Sequence, residues 1–155
     1  DRAKLGLVYR KSFVILSFLG VGVALANFFL APLAIAVIGG PKFVSSVIPL
    51  QILSLALVAS YFNHLNGYTL IALGKPWYSF VTAIVALVLN VSLNLIFIPQ
   101  FSYNAAAFIT FLTEGFIVIL SLIMLRKIAN IKFSLSDYPN VIKEFIQKRG
   151  KIYDF

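Results

Sequence analysis

The stretch that decides the fold is WYSFVTAIVALVLNVSLNLIFI, residues Trp77–Ile98, which carries no charged side chain. A helix needs about 20 predominantly apolar residues to cross the hydrocarbon core of a bilayer. Because lipid offers the backbone no hydrogen-bond partners, a crossing segment must pair its own N–H and C=O groups. The run also lacks the alternation of apolar and polar residues that a barrel strand requires. This stretch therefore predicts a transmembrane helix.

Three further apolar runs accompany this one and together set the fold class. Charged residues make up 12% of the chain, about half of what a soluble domain carries. Nearly all of them lie outside the runs. The sequence therefore predicts an all-α membrane protein with four transmembrane helices, at about residues 12–38, 43–73, 77–98 and 104–125. The second run is long enough to predict tilt or a bend near Gly67.

The distribution of Lys and Arg predicts how these helices are oriented. Of the 13 basic residues, all but Lys42 lie before the first run, in the turn after the second, or after the fourth. Basic residues favour the cytoplasmic side of a membrane. We therefore expect a multi-pass protein of the cytoplasmic (inner) membrane, with a basic cytoplasmic segment at residues 1–11 and both termini in the cytoplasm. The net charge of +8 then suits anionic membrane lipids, and we expect no nucleic acid partner.

Residues 126–155 form a basic cytoplasmic tail in this interpretation. The sequence Ser136-Asp137-Tyr138-Pro139 predicts a helix start, with Pro in the first turn. Beyond it, one face of the predicted helix is apolar and the other polar. We expect a basic amphipathic helix on the inner membrane surface. The apolar face comprises Val141, Ile142, Phe145 and Ile146, and the polar face comprises Lys143, Glu144, Gln147 and Lys148.

Ionisable residues inside the runs are the first candidate functional residues, because such groups are costly in lipid. Glu114 is the only acidic residue in any run, and it lies near the middle of the fourth. It must be protonated, paired or hydrated there, as a proton or cation site, a contact to a polar substrate, or a neutral acid bonded to another helix. His64 could carry protons, since histidine titrates near physiological pH, or it could be a neutral partner of a neighbouring helix.

Small and amide residues form stripes along the other faces. Asn63 lies beside His64 with Asn66 nearby, and Asn90 and Asn94 are four residues apart. Asparagines in a span either bridge helices, which is the favoured interpretation, or line a polar path. The first run carries a small-residue face suited to close packing, made of Gly20, Ala24, Asn27, Ala31 and Ala34. We expect all these faces to point toward protein or a cavity, and the faces rich in Leu, Ile and Phe to point toward lipid.

The chain carries no motif of a soluble enzyme. It has no cysteine, no nucleophile–base spacing, no phosphate-binding loop and no cluster of metal-ligating residues. We therefore expect no enzymatic activity, no catalytic residue, no cofactor and no metal site. Because Met124 is the only methionine, we also expect the chain to be a fragment of a larger parent protein.

Five short stretches carry a resemblance to a known family, in matching order and spacing. The motifs are G-x-x-F, L-x-I-L, A-x-G-K, L-N-x-x-L-N-x-x-x-I-P, and F-G-Y-x-G-A-A-x-x-T followed by a glutamate. In this sequence they stand at residues 40–43, 50–55, 71–75, 89–99 and 101–114. The chain thus resembles, over about residues 10–127, the polysaccharide exporters of the multidrug/oligosaccharidyl-lipid/polysaccharide transporter superfamily, and in particular the lipid-linked O-antigen flippases. Ser102 and Ala105 replace two of the family's glycines.

The resemblance implies that the four helices are the last third of a twelve-helix transporter with two lobes. Such a transporter flips a polyprenyl-pyrophosphate-linked oligosaccharide from the inner to the outer leaflet by alternating access, coupled to a proton or sodium gradient. Candidate residues for the substrate or ion pathway are then Glu114, His64, Asn63, Asn90, Asn94 and Lys75. Two alternatives stay open. One is a drug/cation antiporter of the same superfamily, in which Glu114 exchanges cations, and the other is a membrane scaffold that transports nothing.

Overall fold

The computed structural model describes residues 2–131 and 137–150, and nearly all of these are helical. The all-α fold class is therefore confirmed. Helix α1 continues into a π-helical turn, and a 3₁₀ helix leads into α2. The elements are α1 (Arg2–Ala34), the π-helical turn (Ile35–Gly39), the 3₁₀ helix (Pro41–Ser46), α2 (Val47–Ala72), α3 (Pro76–Ala129) and α4 (Asp137–Gly150).

Three continuous helical stretches are long and apolar enough to cross a membrane. They cover Lys4–Gly39, Pro41–Ala72 and Pro76–Ala129. Their composition is that of a membrane protein, as the sequence predicts. The third and fourth expected spans lie in α3 on opposite sides of a kink at Ser102, which divides α3 into two helical segments.

Helix α3 reverses direction within its length. Its 54 residues would extend about 80 Å if straight, far more than the hydrocarbon core. Ser102 interrupts it with φ 58° and ψ −155°, shortly after Pro99, which lacks an N–H and disfavours a continuing helix. Ser79 and Ser121, from opposite sides of this interruption, line one cavity against α2. The segments 76–101 and 103–129 therefore run back alongside each other.

Close packing joins α1 to α2. A Cβ placed on Gly20 would lie 3.0 Å from the Tyr61 ring, so the absence of a side chain allows the two helices to approach. Ala24 and Ala31 on the same face are buried, which agrees with the predicted packing face. Asn27, which was assigned to that face, is exposed instead and does not join the packing.

Helix α2 continues through Gly67 without interruption. A bend at this position was one of two expectations, and the helix does not need it. A Cβ on Gly67 would lie 3.2 Å from the Ser79 hydroxyl oxygen. The missing side chain at Gly67 therefore allows α2 and the first segment of α3 to approach closely.

The buried core lies at one end of the bundle, here called the basal end and defined by the contact of Tyr9, Leu70 and Leu125. The beginning of α1, the end of α2 and the end of α3 meet there. Consecutive helical segments therefore alternate in direction. Large apolar side chains elsewhere, such as Phe29 at 71% exposure and Leu95 at 74%, face outward along the bundle, which suits contact with lipid or with further helices.

Helix α4 packs against the first part of α1. Lys11 Nζ donates a hydrogen bond to Glu144 Oε1 at 2.6 Å, and Tyr138 OH donates to Ser17 Oγ at 2.8 Å. Val141 on its apolar face is buried. The structure thus places the helix against α1, while its expected position on the membrane surface stays a prediction. Ser136, the first residue of the predicted helix start, lies outside the described residues.

Candidate functional site: a polar cleft around Glu114

A cleft of about 310 Å³ opens between α2 and the two segments of α3. Helical periodicity explains the lining, because residues three and four apart share a face. Asn63 and Gly67 come from α2, Ser79 and Thr82 from the first segment of α3, and Glu114 from the second. The reversal at Ser102 brings these faces together. The remaining lining residues are His64, Tyr68, Ile71, Ala83, Ala86, Thr113, Ile117 and Ser121.

Glu114 is the one acidic side chain that lines the cleft. Along the helix it is about 18 Å from both Ser102 and Arg126, and so midway along the second segment of α3. Asn63 Nδ2 donates to its carboxylate oxygen Oε2 at 2.6 Å and to its main-chain oxygen at 3.0 Å. The ion pairs within residues 2–131 and 137–150 all lie elsewhere. A neutral amide, and not a basic residue, is thus the described partner of this carboxyl group.

Two buried oxygen atoms beside Glu114 have no hydrogen-bond partner within the described part of the chain. They are Asn63 Oδ1 and Thr113 Oγ1. Thr113 is only 6% exposed. An unsatisfied buried polar atom costs about 1–3 kcal/mol, so a native structure is expected to supply a partner for each. Both residues line the cleft, but the two oxygen atoms themselves are closed to a water-sized molecule in this arrangement.

A separate pair of buried hydrogen bonds lies at the basal end of the bundle. Asn66 is fully buried. Its Oδ1 accepts a hydrogen bond from Tyr9 OH at 2.8 Å, and its Nδ2 donates to Ser121 Oγ at 2.7 Å. One asparagine therefore joins α1, α2 and the second segment of α3. This is the helix-bridging role that the sequence favours for asparagines, and Asn63 plays it as well.

The other candidate residues lie apart from Glu114. His64 is exposed at the rim of the cleft beside Tyr68. Asn94 Nδ2 donates to Asn90 Oδ1 at 2.8 Å, so these two bond to each other along one helix, with no bridge to another helix among the described residues. Lys75 is exposed in the turn between α2 and α3 at the basal end. Of the six predicted residues, the structure brings Asn63, His64 and Glu114 to the cleft.

Several residues of the site were missed in the sequence or noted only in passing. Tyr9 was assigned to the basic cytoplasmic segment, yet it is buried against Asn66. Thr113 and Ser79 carry no signal beyond a hydroxyl in an apolar run, whereas Thr82 shares the spacing of four that continues through Ala86 to Asn90 and Asn94. Asn66 did carry a signal, because it lies three residues beyond Asn63 and so shares its face.

Comparison with known proteins adds no assignment. No family model, no curated protein and no solved structure matches this chain. The chemistry of the cleft must therefore be argued from its residues.

The cleft combines one carboxyl group with neutral oxygen and amide groups in a strongly apolar surrounding. A carboxylate at this depth requires a proton, a cation or water to offset its charge. No group of three or more His, Cys, Asp or Glu residues that could hold a metal ion occurs in the described ranges. Binding and release of a positively charged or polar species is what this arrangement can do.

Proposed function

We propose that this chain is part of a membrane transporter that flips a lipid-linked oligosaccharide from the inner to the outer leaflet of the cytoplasmic membrane. The cleft around Glu114 is the observation that supports a transport function. In a scaffold, polar side chains within helices serve to pair one helix with another, as Asn66 does. Glu114 also bonds to Asn63 of α2, but it lines an open cavity as well, and such a cavity suits a protein that moves a polar species.

In this proposal the chain crosses the membrane four times. The reversal at Ser102 divides α3 into two segments of 26 and 27 residues by their bounds, each long enough for a bilayer. The basal end carries the first basic residues of α1, Lys75 and the end of α3, so positive-inside places it in the cytoplasm. Both termini are then cytoplasmic, and Ser102 lies on the outer side.

The choice of substrate rests on the sequence resemblance. One structural feature supports it. The resembled family has glycine where this chain has Ser102, and Ser102 adopts a positive φ of 58° in a region that favours glycine. The broad apolar exterior also suits helices that pack into a two-lobed, twelve-helix parent. In such a parent the partners are membrane lipid, a polyprenyl-pyrophosphate-linked oligosaccharide and a coupling ion.

The alternative within the same superfamily is a drug/cation antiporter. The specific observation in its favour is the carboxyl group of Glu114, because a single acidic group at membrane depth can exchange a proton for a cationic substrate. The two functions predict different phenotypes. Loss of a flippase removes surface polysaccharide, whereas loss of an antiporter raises drug sensitivity and leaves the polysaccharide intact.

Deletion of the full-length gene, followed by complementation, tests the proposal. The wild-type gene should restore surface polysaccharide, and Glu114→Gln should restore much less, because it removes the charge while keeping an acceptor for Asn63. The matched control is Glu144→Gln, the same change on α4 outside the cleft, which should complement normally. Normal complementation by Glu114→Gln would support the scaffold instead, and unchanged polysaccharide in the deletion strain would reject the flippase.

A further inference from the structure

Helix α1 contains a proline within its apolar run, Pro32, four residues after Phe28. Proline has no N–H, so the carbonyl oxygen of Phe28 lacks the donor that a regular helix supplies from residue 32. Gln51 of α2 replaces that donor, because its Nε2 donates to Phe28 O at 3.1 Å. An unpaired carbonyl group is strongly unfavourable in lipid, and neighbouring helices satisfy those that proline frees. The Gln51 side chain therefore completes the backbone of another helix.

The packing of α1 changes at the same place. Ala31 is 1% exposed and is the last buried residue of the helix, whereas Val37 and Ile38 are 75% and 87% exposed. Neither the π-helical turn nor the 3₁₀ helix, both of which the structure describes in full, contains a buried residue. Burial resumes at Ser54 in α2. Residues 33–46, here called the far tip because they lie opposite the basal end, are thus packed loosely against the bundle.

The far tip is nevertheless held together internally. Gly40 N donates to Ile35 O at 3.0 Å, and Phe43 N donates to Gly40 O at 3.1 Å. A Cβ placed on Gly39 would lie 2.8 Å from Phe43 Cβ, so the two arms of the turn are in close contact. Within the described part of the chain, the extensive contacts of the far tip are with itself and with the two helices that it joins. It can therefore move as one piece.

Two prolines flank the base of the far tip. Pro32 lies in α1 just before it, and Pro49 lies in the first turn of α2 just after it. Neither can donate a backbone hydrogen bond, and the π-helical turn that begins three residues after Pro32 is a further common origin of bending. The hydrogen bond from Gln51 to Phe28 O connects the two arms on the bundle side of both prolines.

We propose that the far tip is a lid hinged at Pro32 and Pro49, with Gln51 as the clasp that keeps it closed. In the closed state the clasp holds the arms together and supplies the donor that Pro32 lacks. Release of Gln51 leaves Phe28 O unpaired and lets the far tip swing away from the bundle. In the proposed topology this lid lies on the outer side of the membrane, and it does not depend on which substrate the protein moves.

Hydrogen–deuterium exchange of the purified full-length protein in lipid nanodiscs tests the clasp. Gln51→Met keeps an unbranched side chain of similar length but removes the donor. It should speed exchange in residues 33–46 about tenfold, the effect of losing one hydrogen bond in apolar surroundings. Gln100→Met is the matched control, because Gln100 is exposed on α3, and it should stay within about twofold of wild type. The amides of the basal end should exchange at the wild-type rate in every variant.

Pro32→Ala provides the decisive comparison. Alanine restores the N–H that Phe28 O lacks, so the far tip should exchange more slowly than in wild type. In that background Gln51→Met should change the exchange rate by less than about twofold, because the carbonyl group no longer needs the amide. An undiminished effect of Gln51→Met in the Pro32→Ala background would overturn the clasp, and so would the absence of any effect in wild type. Equally faster exchange at the basal end would show general destabilisation and would also overturn it.

Discussion

Replacement of Asn66 with leucine tests whether one buried polar side chain holds three helices together. Asn66 is fully buried and bonds to Tyr9 at 2.8 Å and to Ser121 at 2.7 Å. Leucine has the same branched skeleton of side-chain heavy atoms but a larger volume, so the substitution removes both hydrogen bonds and adds some overpacking. The stability of the basal end should fall as a result.

The magnitude follows from the two bonds and the group left behind. Hydrogen bonds between membrane helices average about 0.6 kcal/mol, with a maximum of about 1.7 kcal/mol. Loss of two bonds therefore costs about 1–3 kcal/mol. The Tyr9 hydroxyl stays buried without this acceptor, which raises the cost further. We expect Asn66→Leu to lower the free energy of unfolding by about 2 kcal/mol.

Unfolding in mixed micelles by increasing fractions of dodecyl sulfate, followed by circular dichroism, measures this change. Asn27→Leu is the control, because Asn27 is exposed on α1 and the same substitution there should cost little. Tyr9→Phe and the double variant complete a cycle, and the double variant should be less destabilised than the sum of the two. Strict additivity, or an Asn66→Leu effect no larger than that of Asn27→Leu, would refute the bridging role.

The remaining predictions concern packing, the reversal in α3 and the tail helix. Gly20→Val should lower the free energy of unfolding by about 1–3 kcal/mol, because its side chain would meet the aromatic ring on α2. Gly22→Val has open space at the same depth, and an equal loss there would contradict the packing. Ser102→Gly should raise the free energy of unfolding by about 1 kcal/mol, because glycine adopts a positive φ without strain, and a decrease in the same titration would speak against a strained turn. Lys11→Glu should speed hydrogen exchange in α4 at low salt by breaking its pair with Glu144, and adding Glu144→Lys should restore protection. Exchange unaffected by the single change would mean that other contacts hold α4.

The helices were predictable from the sequence because lipid leaves an apolar run few alternatives. Trp77–Ile98 must satisfy its backbone internally wherever it lies in the bundle. The tail helix followed in the same way: Ser136-Asp137-Tyr138-Pro139 predicts a helix start, and the described helix α4 covers Asp137–Gly150. These features depend on local chemistry, which the sequence states directly.

The pairing of polar side chains was not predictable, because it depends on how each helix is rotated against its neighbours. Asn90 and Asn94 have a spacing as regular as that of any stripe in the chain, yet they bond to each other. Asn66 was noted only as a neighbour of Asn63, and it carries the contact that joins three helices. The spacing of residues in the sequence shows which side chains share a helix face. Which neighbouring side chains that face contacts depends on how the helices are rotated and shifted against each other.

The reversal in α3 falls within the turn expected between the third and fourth spans, but the residue at which it occurs was not predicted. Pro99 predicts the end of the third span, and the expected turn extends from Pro99 to Tyr103. In the structure the only non-helical backbone conformation in α3 falls at Ser102. Serine gives no local signal for a positive φ, so the position of the turn depends on how both segments pack against α2.

Cysteine accessibility in intact cells is the most direct test of the central claim, a four-crossing bundle with its basal end in the cytoplasm. The chain has no native cysteine, so Ser102→Cys and Lys75→Cys can be introduced singly into the full-length protein. A membrane-impermeant maleimide should label position 102 from outside, and position 75 only after the cells are permeabilised. Labelling of both positions from the same side would contradict the reversal of α3 across the membrane, and with it the proposed topology.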